Sequence, residues 1–471
     1  MDKSTWFGGG AKPLPKAALL GGVLALSLAA CDSALDVEDP DIADPTGFAD
    51  ETALPSVRAG AIFDFGFAVS GNGGGTEGQV ITSALLADEF VSSGTFPTRV
   101  EIDIRIIENN NATLQTVTRN LYRARTSAES GIALFEQFGA NTAGHAEVLN
   151  LAGLTFIYFA EHYCSGVPFS NRETATFGMQ ETTQQILARA VDRADRAIAA
   201  ATAAGSSTQL DLARVVKGRA LLDMGQYAAA AAAVAGVSDD FVSRILRSEN
   251  TFSEQNGVYV FSNLSERFSV FDMEGINGLP YRTHMGGTDP RTPWRRLPAT
   301  DVGFDQQTPQ YDERKYITRS DPIPVATGAE ARLIEAEAAL QAGDAATFLT
   351  KLNDARAADL TLAIDRGQTG ATLPPLTAAD VPADMAGRVD LLFAERAYSM
   401  WLTAHRLGDM RRLIRQYGRA QDNVFPTGAY HKNSQGGIYG TEVNLPITVD
   451  ERNNPNFASL PEGDLCLNRD A

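Results

Sequence analysis

The sequence predicts a mainly all-α fold, in which antiparallel helical hairpins build a single large domain around a long, irregular, loop-rich insert. Three observations carry this. First, residues 212–237 (LARVVKGRALLDMGQYAAAAAAVAGV) set small and apolar residues at three- and four-residue spacing through Ala213, Val216, Ala220 and Leu221, turn at Gly225-Gln226-Tyr227, and continue as an alanine-rich helix. Second, residues 328–342 and 345–359 repeat the pattern around Gly343-Asp344. Third, helical periodicity fades between them, over 238–327, while Pro, Gly, Asn and aromatic residues rise: Phe252, Tyr259, Phe261, Phe268, Phe271, Tyr281, Trp294, Phe304, Tyr311 and Tyr316. A long irregular stretch is usually functional or disordered, and the aromatic content argues against disorder.

Gly218, Leu221, Gly225, Tyr227 and Ala230 fall where a tetratricopeptide repeat places its small and aromatic packing residues. Small residues let two antiparallel helices approach closely. One hairpin cannot bury its own apolar face, so it requires helical neighbours. The alternative is a generic alanine-rich helical pair; agreement of the turn and both flanks favours the tetratricopeptide-like reading. Gly225 and Gly343 are not separated by a whole number of ~34-residue repeats, so the helical array is interrupted by the insert rather than continuous.

The 471 residues are enough for two or three domains or one large one, and 44% hydrophobic content supplies a large core. A formal net charge of −18 disfavours nucleic acid and anionic lipid surfaces as partners. At the N-terminus, Lys3, Lys12 and Lys16 precede a short apolar run, residues 17–30, that ends at Cys31. The run is too short for a permanent membrane span and has signal-peptide length. Leu28-Ala29-Ala30-Cys31 resembles a bacterial lipobox, so residues 1–30 read as a lipoprotein signal peptide and Cys31 as the lipidated first residue of the mature chain. More than one acyl chain would make that anchoring stable. Residues 31–52 begin with an acidic, proline-containing run (DSALDVEDPDIADP) and read as an extended tether; an acidic run here also resembles a surface-export signal.

The body is expected over 53–471. Residues 53–69 form a first helix. Residues 70–78 (SGNGGGTEG) make a glycine-rich loop without the Gly-Lys-Ser/Thr ending that a phosphate cradle needs. Residues 81–90 are apolar, and 96–107 are a mixed segment leading to Asn109-Asn110-Asn111, which can cap a helix starting near Thr113. Residues 114–138 form a long amphipathic helix with Val117, Leu121, Ala124, Ala128 and Ile132 on one stripe. Residues 147–164 form the next helix, ended by Ser165-Gly166-Val167-Pro168, and 181–203 follow with Ile186, Ala190, Ala194 and Ile198 inward. The helical array thus covers about 113–237 and 328–417, with 388–417 as a last helix or helix pair. Residues 418–471 are a loop-rich C-terminal segment that rejoins the body through 443–447.

Taken together these stations resemble the RagB/SusD family of nutrient-uptake outer-membrane lipoproteins. The resemblance rests on the Cys31 lipobox; on Tyr158 to Ser170, ending CSGVPFS, similar to the family's aromatic helix and Gly-x-Val-Pro; and on Arg332 to Ala338 (RLIEAEA), which matches R-L-I-x-A-E-A. It rests further on Glu395-Arg396 with Arg406, Asp409, Arg411 and Arg412, and on Leu445-Pro446-Ile447 through Asn453-Asn454-Pro455-Asn456. The family's E-R helix usually carries two more glutamates and a glycine where this chain has Ser399, Thr403 and Ala404. The resemblance implies a helical body with tetratricopeptide-like units and an irregular ligand side. It also implies a lipid-anchored place on the outer membrane, displayed at the cell surface, where such a protein binds an oligosaccharide or other nutrient and hands it to a TonB-dependent SusC-like β-barrel transporter.

Catalysis has little to stand on. His145, His162, His284, His405 and His431 are scattered, none lies in H-E-x-x-H, and no cysteine–histidine cluster appears, so neither an enzyme nor a metal or cofactor is expected. Glu335, Glu337, Glu395, Arg396, Arg406 and Asp409 read as Arg–carboxylate forks that lock helix packing. Once Cys31 is lipidated, Cys164 and Cys466 remain, and an oxidising compartment with an even count favours a disulfide over two buried thiols. For ligand binding the aromatic insert is the candidate, because sugar C–H faces stack on rings while polar groups take the hydroxyls. Trp294, flanked by Arg291, Arg295 and Arg296, leads, with Tyr281, Tyr311 and Arg291 beside it. The competing function is a lipid-anchored tetratricopeptide-type adaptor that binds peptides or envelope proteins through concave helical surfaces.

Overall fold

The computed structural model describes residues 50–171, 174–296, 298, 301–432, 437–460 and 465–471. The signal peptide, Cys31 and the tether as far as residue 49 lie outside the described residues. The chain divides into Met1–Ala53 and a second unit, Leu54–Ala471, and the fold belongs to the second.

Helix α1 (Leu54–Ser70) leads through the glycine-rich loop to α2 (Gln79–Leu86), strand β1 (Phe90–Ser92) and α3 (Pro97–Asp103). The segment read as mixed therefore holds a helix, started by a proline in its first turn, where no donor is lost. Helix α4 (Ala112–Phe138) begins where the Asn111 side chain accepts from Leu114 N at 2.9 Å. Helix α5 (Ala143–His162) starts four residues earlier than its apolar pattern implied, because Thr142 caps it. Every residue from Val148 to His162 is buried, so the helix shows no polar stripe and sits between α1, α4 and two helices that follow.

Strands β2 (Val167–Pro168) and β3 (Gln180–Glu181) pair before α6 (Thr183–Ala204), which opens on a reciprocal capping box between Thr182 and Gln185. Next come α7 (Ser207–Asp223) and α8 (Tyr227–Val234), joined at Gly225, whose φ of 74° suits a residue without a side chain. Gly218 is where these two helices meet: a Cβ there would stand 2.4 Å from Val234 Cγ1. The insert holds β4 (Val242–Ile245), a helical turn at Gly257–Tyr259 running into a π-helical turn at Val260–Leu264, β5 (Phe268–Val270), β6 (Trp294–Arg295), β7 (Asp312–Glu313) and β8 (Ile323–Thr327). Among the described residues the strands form antiparallel two-stranded ribbons only: β1–β5, β2–β3, β4–β8 and β6–β7.

Helix α9 (Gly328–Gln341), capped by Thr327, and α10 (Ala345–Asp365), capped by Asp344, form a second hairpin. The last helical region is two helices, α11 (Met385–Ser399) and α12 (Arg406–Tyr417). The link between them is buried and bent. Leu402 and Ala404 have φ of 52° and 68°, in the left-handed region that favours glycine, and Ala404 stands where the resembled family carries one. The link holds because its backbone is bonded on several sides: Leu402 N donates to Glu89 Oε1 at 2.7 Å, Leu402 O accepts from Tyr316 OH at 3.0 Å, and Ala404 O meets His162 Nε2 at 2.9 Å.

Charged residues join the helices from inside. Arg412 forks onto Glu337 of α9 at 2.6 and 3.0 Å, reaches Asp409 at 2.8 Å, and lies 3.4 Å from Asp223 of α7. Arg396 pairs with Asp409 at 2.9 Å, Arg356 with Glu395 at 2.8 and 2.9 Å, and Arg406 forks onto Asp88 at 2.7 and 2.8 Å. Glu335 takes Lys351 at 3.0 Å. Such forks satisfy both partners' hydrogen-bonding groups, which makes burial of the charges tolerable. The C-terminal segment packs beside the end of α5: Tyr163 bridges Leu445, Ser165 bridges Asn468, and Cys164 is bonded to Cys466 with 5.9 Å between their Cα atoms.

Candidate functional site

The insert is anchored so that several aromatic rings stay at its surface. Strand β5 pairs with β1, in the register Phe90 to Val270, and then carries the chain that returns from β6. Val270 N donates to Tyr311 O, and Tyr311 N donates to Ser269 Oγ, both at 2.9 Å. Beside it Trp294 pairs with Glu313 across the β6–β7 ribbon. The Trp294 indole N–H donates to Arg282 O at 2.9 Å, which fixes the ring's edge and leaves the side chain half-buried. Asp272 holds the Arg282–Thr283 turn by accepting from both backbone N–H groups, at 2.9 and 3.2 Å.

The rings then come together. Trp294 and Tyr311 lie 5.6 Å apart, edge to face. The Arg282 guanidinium stands 3.7 Å over the Tyr311 ring and 5.8 Å from Trp294, and that of Arg296 is 5.0 Å from Tyr311. At the other end of the 301–311 loop a second cluster forms. Arg267 lies 3.5 Å over Phe304 and 5.2 Å from Phe96, and these two rings are 47% and 48% exposed, far more than a core phenylalanine. The loop is held by Phe304 N to Glu266 O and Asp305 N to Ser93 O, both at 2.9 Å. Arg99, stacked 4.3 Å from Phe96, is itself paired with the buried Glu77. Aromatic faces beside guanidinium donors can hold a ligand that has apolar C–H faces and hydroxyl groups.

Of the four residues expected at the ligand surface, Trp294 and Tyr311 are together and partly exposed. Tyr281 and Arg291 are elsewhere. Tyr281 is 1% exposed and donates its OH to Asp88 at 3.0 Å, and burial pushes that phenol well above its ordinary value. Arg291 is 2% exposed, bonded to Asp289 at 2.8 Å and to Glu395 at 2.6 Å. Both belong to the packing that carries the insert, because an aromatic or an arginine in a loop-rich segment is as useful for closing that segment onto helices as for meeting a ligand. The sequence does not mark Phe96, Arg267 or Phe304 as ligand contacts. Phe304 stood in the aromatic series, but nothing in the sequence pairs it with Phe96 far upstream.

Among the described residues no group of three His, Cys, Asp or Glu side chains is placed to hold a metal ion, and no helix is long and apolar enough to cross a membrane.

No protein-family model matches the chain, and no curated protein matches it either. Solved structures do. A SusD superfamily protein from Bacteroides vulgatus is 16% identical, with 87% of this chain and 98% of that one aligned at a TM-score of 0.57. A SusD/RagB family protein from Bacteroides thetaiotaomicron is 15% identical, covering 85% and 94%, at 0.61. A laminarin-binding SusD-like protein is 16% identical, covering 86% and 98%, also at 0.61. Identity at this level speaks for architecture alone, and over most of its length this chain has the fold of the SusD superfamily.

Proposed function

We propose that this protein is a non-catalytic nutrient-binding lipoprotein, anchored through Cys31 at the outer membrane and displayed on the cell surface, that captures an oligosaccharide and passes it to a TonB-dependent SusC-like β-barrel transporter. The observation that carries the reading is the pair of aromatic–guanidinium clusters at the two ends of the 301–311 loop, with Trp294 and Tyr311 at one and Phe96 and Phe304 at the other. The likeness in fold to a laminarin-binding protein supports the same ligand class here. In this reading the two hairpins, α7–α8 and α9–α10, are tetratricopeptide-type units that support the insert, and residues 31–52 are the tether.

Two experiments test it. In a mild-detergent pull-down from the native envelope, a co-purifying TonB-dependent β-barrel is expected; envelope-assembly proteins without such a barrel would instead favour the adaptor. In glycan-binding assays, Trp294→Ala is expected to weaken binding of a neutral oligosaccharide about tenfold, near 1.4 kcal/mol, without loss of folding. Unchanged affinity removes Trp294 from the site.

A further inference from the structure

A cavity of about 710 Å³ opens between the insert and the ends of α10 and α11. The β6–β7 ribbon borders it: Pro293 and Arg314 line the cavity, while the adjoining Trp294 belongs to the aromatic cluster. Ligand pockets run from about 300 to 1,000 Å³, so this one suits a sugar-sized molecule rather than a bare ion.

Its lining holds charges of two kinds. Some are already engaged: Arg291 by Asp289 and Glu395, Glu330 by Arg219, and Asp321 by the backbone N–H groups of Ile317 and Thr318. Others are not. Arg244, Arg314, Lys315 and Arg366 have no carboxylate partner within ion-pair distance among the described residues, nor has the lining Asp365 a cationic one; the Arg314 guanidinium donates to the neutral Asn263 side chain at 3.2 Å, and Lys315 donates to Trp401 O. Arg366 Nε is buried without a hydrogen-bond partner. So is Asp359 Oδ2, on a residue 5% exposed whose other oxygen accepts from Ser399 Oγ at 3.0 Å. Burial, opposed by Tyr316 and Asp359, pushes the Arg366 guanidinium below its ordinary value, and Arg244 pushes it further the same way. The guanidiniums of Arg244 and Arg366, without a carboxylate in ion-pair distance, thus line one cavity with Asp359, whose Oδ2 keeps a free lone pair, which leaves room for an acidic group and for a hydroxyl donor.

We propose that this cavity binds a carboxylated sugar, its carboxylate seated between Arg366 and Arg244 and a hydroxyl donating to Asp359 Oδ2. Planar guanidiniums suit a carboxylate's two oxygens. The choice of a sugar among hydroxy acids rests on the glycan-binding reading above; the choice of an acidic ligand rests on the excess of unpaired cationic side chains in the lining.

The test is calorimetric titration of the full chain in mild detergent with glucuronate, galacturonate, glucose and a neutral glucan. The acid sugars are expected to bind at least about tenfold more tightly than glucose, to lose that advantage in Arg366→Gln and in Arg244→Gln, and to keep it in Trp294→Ala. Arg244 is exposed and Arg366 closes a helix end, so at least one variant should fold as the parent does. Acid sugars that bind no better than glucose, or that bind Arg366→Gln and Arg244→Gln as well as the parent, overturn the proposal. Neutral glucan binding without acid-sugar binding overturns this inference alone. Acid-sugar binding that depends on Arg366, in a protein that takes no neutral glucan, supports it and sinks the aromatic site.

Discussion

Arg412→Met should be among the most damaging single changes in this protein. The side chain is 1% exposed and serves Glu337, Asp409 and Asp223, so one guanidinium ties α9, α12 and α7 together. Methionine fills much of the same volume, so the loss is electrostatic rather than a cavity. It leaves Glu337 with the Tyr417 hydroxyl at 2.6 Å and Asp409 with Arg396 alone. Breaking a buried pair from one side costs about 3–5 kcal/mol, against a total stability of about 5–15 kcal/mol. Part of this can be assigned. Burial alone would raise the Asp409 carboxyl, but Arg396 and Arg412 together hold it down, from 3.8 to about 2. A depressed carboxylate contributes stability that is present above its unfolded value and is lost as pH falls through the folded one; here that is on the order of 2 kcal/mol. The assay is urea unfolding at neutral pH. With a slope of about 3 kcal/mol/M the midpoint should fall by about 1 M or more. Arg412→Lys keeps the charge but cannot fork onto two carboxylates, so it should fall between the two. A loss below about 1 kcal/mol for Arg412→Met, in the range of ordinary surface changes, would refute the reasoning.

Further outcomes follow from other sites. Burial pushes His162 from 6.5 to about 3, so the cost of keeping it neutral is absent above about 6.5 and grows as pH falls toward 3; His162→Gln should flatten the stability profile between roughly pH 3 and 6.5 by up to about 1.4 kcal/mol per pH unit, and an unchanged slope would show that His162 is not the group. Gly218→Val should cost about 1–3 kcal/mol through overpacking against Val234, read as a lowered melting temperature; an unchanged one would mean that the hairpin is looser than described. Cys466→Ser should destabilise by no more than about 5–6 kcal/mol, the chain-entropy ceiling for a link across 302 positions, and reductant should reproduce the loss in the parent but add nothing to the variant.

What could be read in advance divides along physical lines. Helices with one wet face, such as α4 and α6, announce themselves by stripe and cap, and Asn111 and the Gly225 turn mark their borders. Helix α5 has almost no wet face, so its apolar pattern sets its start four residues too late, whereas the Thr142 cap fixes it at Ala143. Helix α3 is seven residues long and too short for a period to register. The Arg–carboxylate pairs were legible as residue types in a recurring order, though their partners Asp88 and Asp223 were not. The candidate site was legible only as a region. Proximity of Phe96 to Phe304 is made by the β1–β5 ribbon and the 301–311 loop, and composition cannot distinguish Trp294, held at the surface, from Tyr281, drawn in by Asp88.

The bond between Cys164 and Cys466 has one more consequence, for a chain exposed to proteases. It closes a covalent ring around the α6–α12 region, the whole insert and most of the tail. A single cut anywhere inside that ring releases nothing: both pieces stay joined, and the nicked molecule migrates as one until a reductant parts it. The loops that carry the Trp294–Tyr311 and Phe304 rings lie downstream of Cys164, so they can be clipped once without the protein shedding those rings.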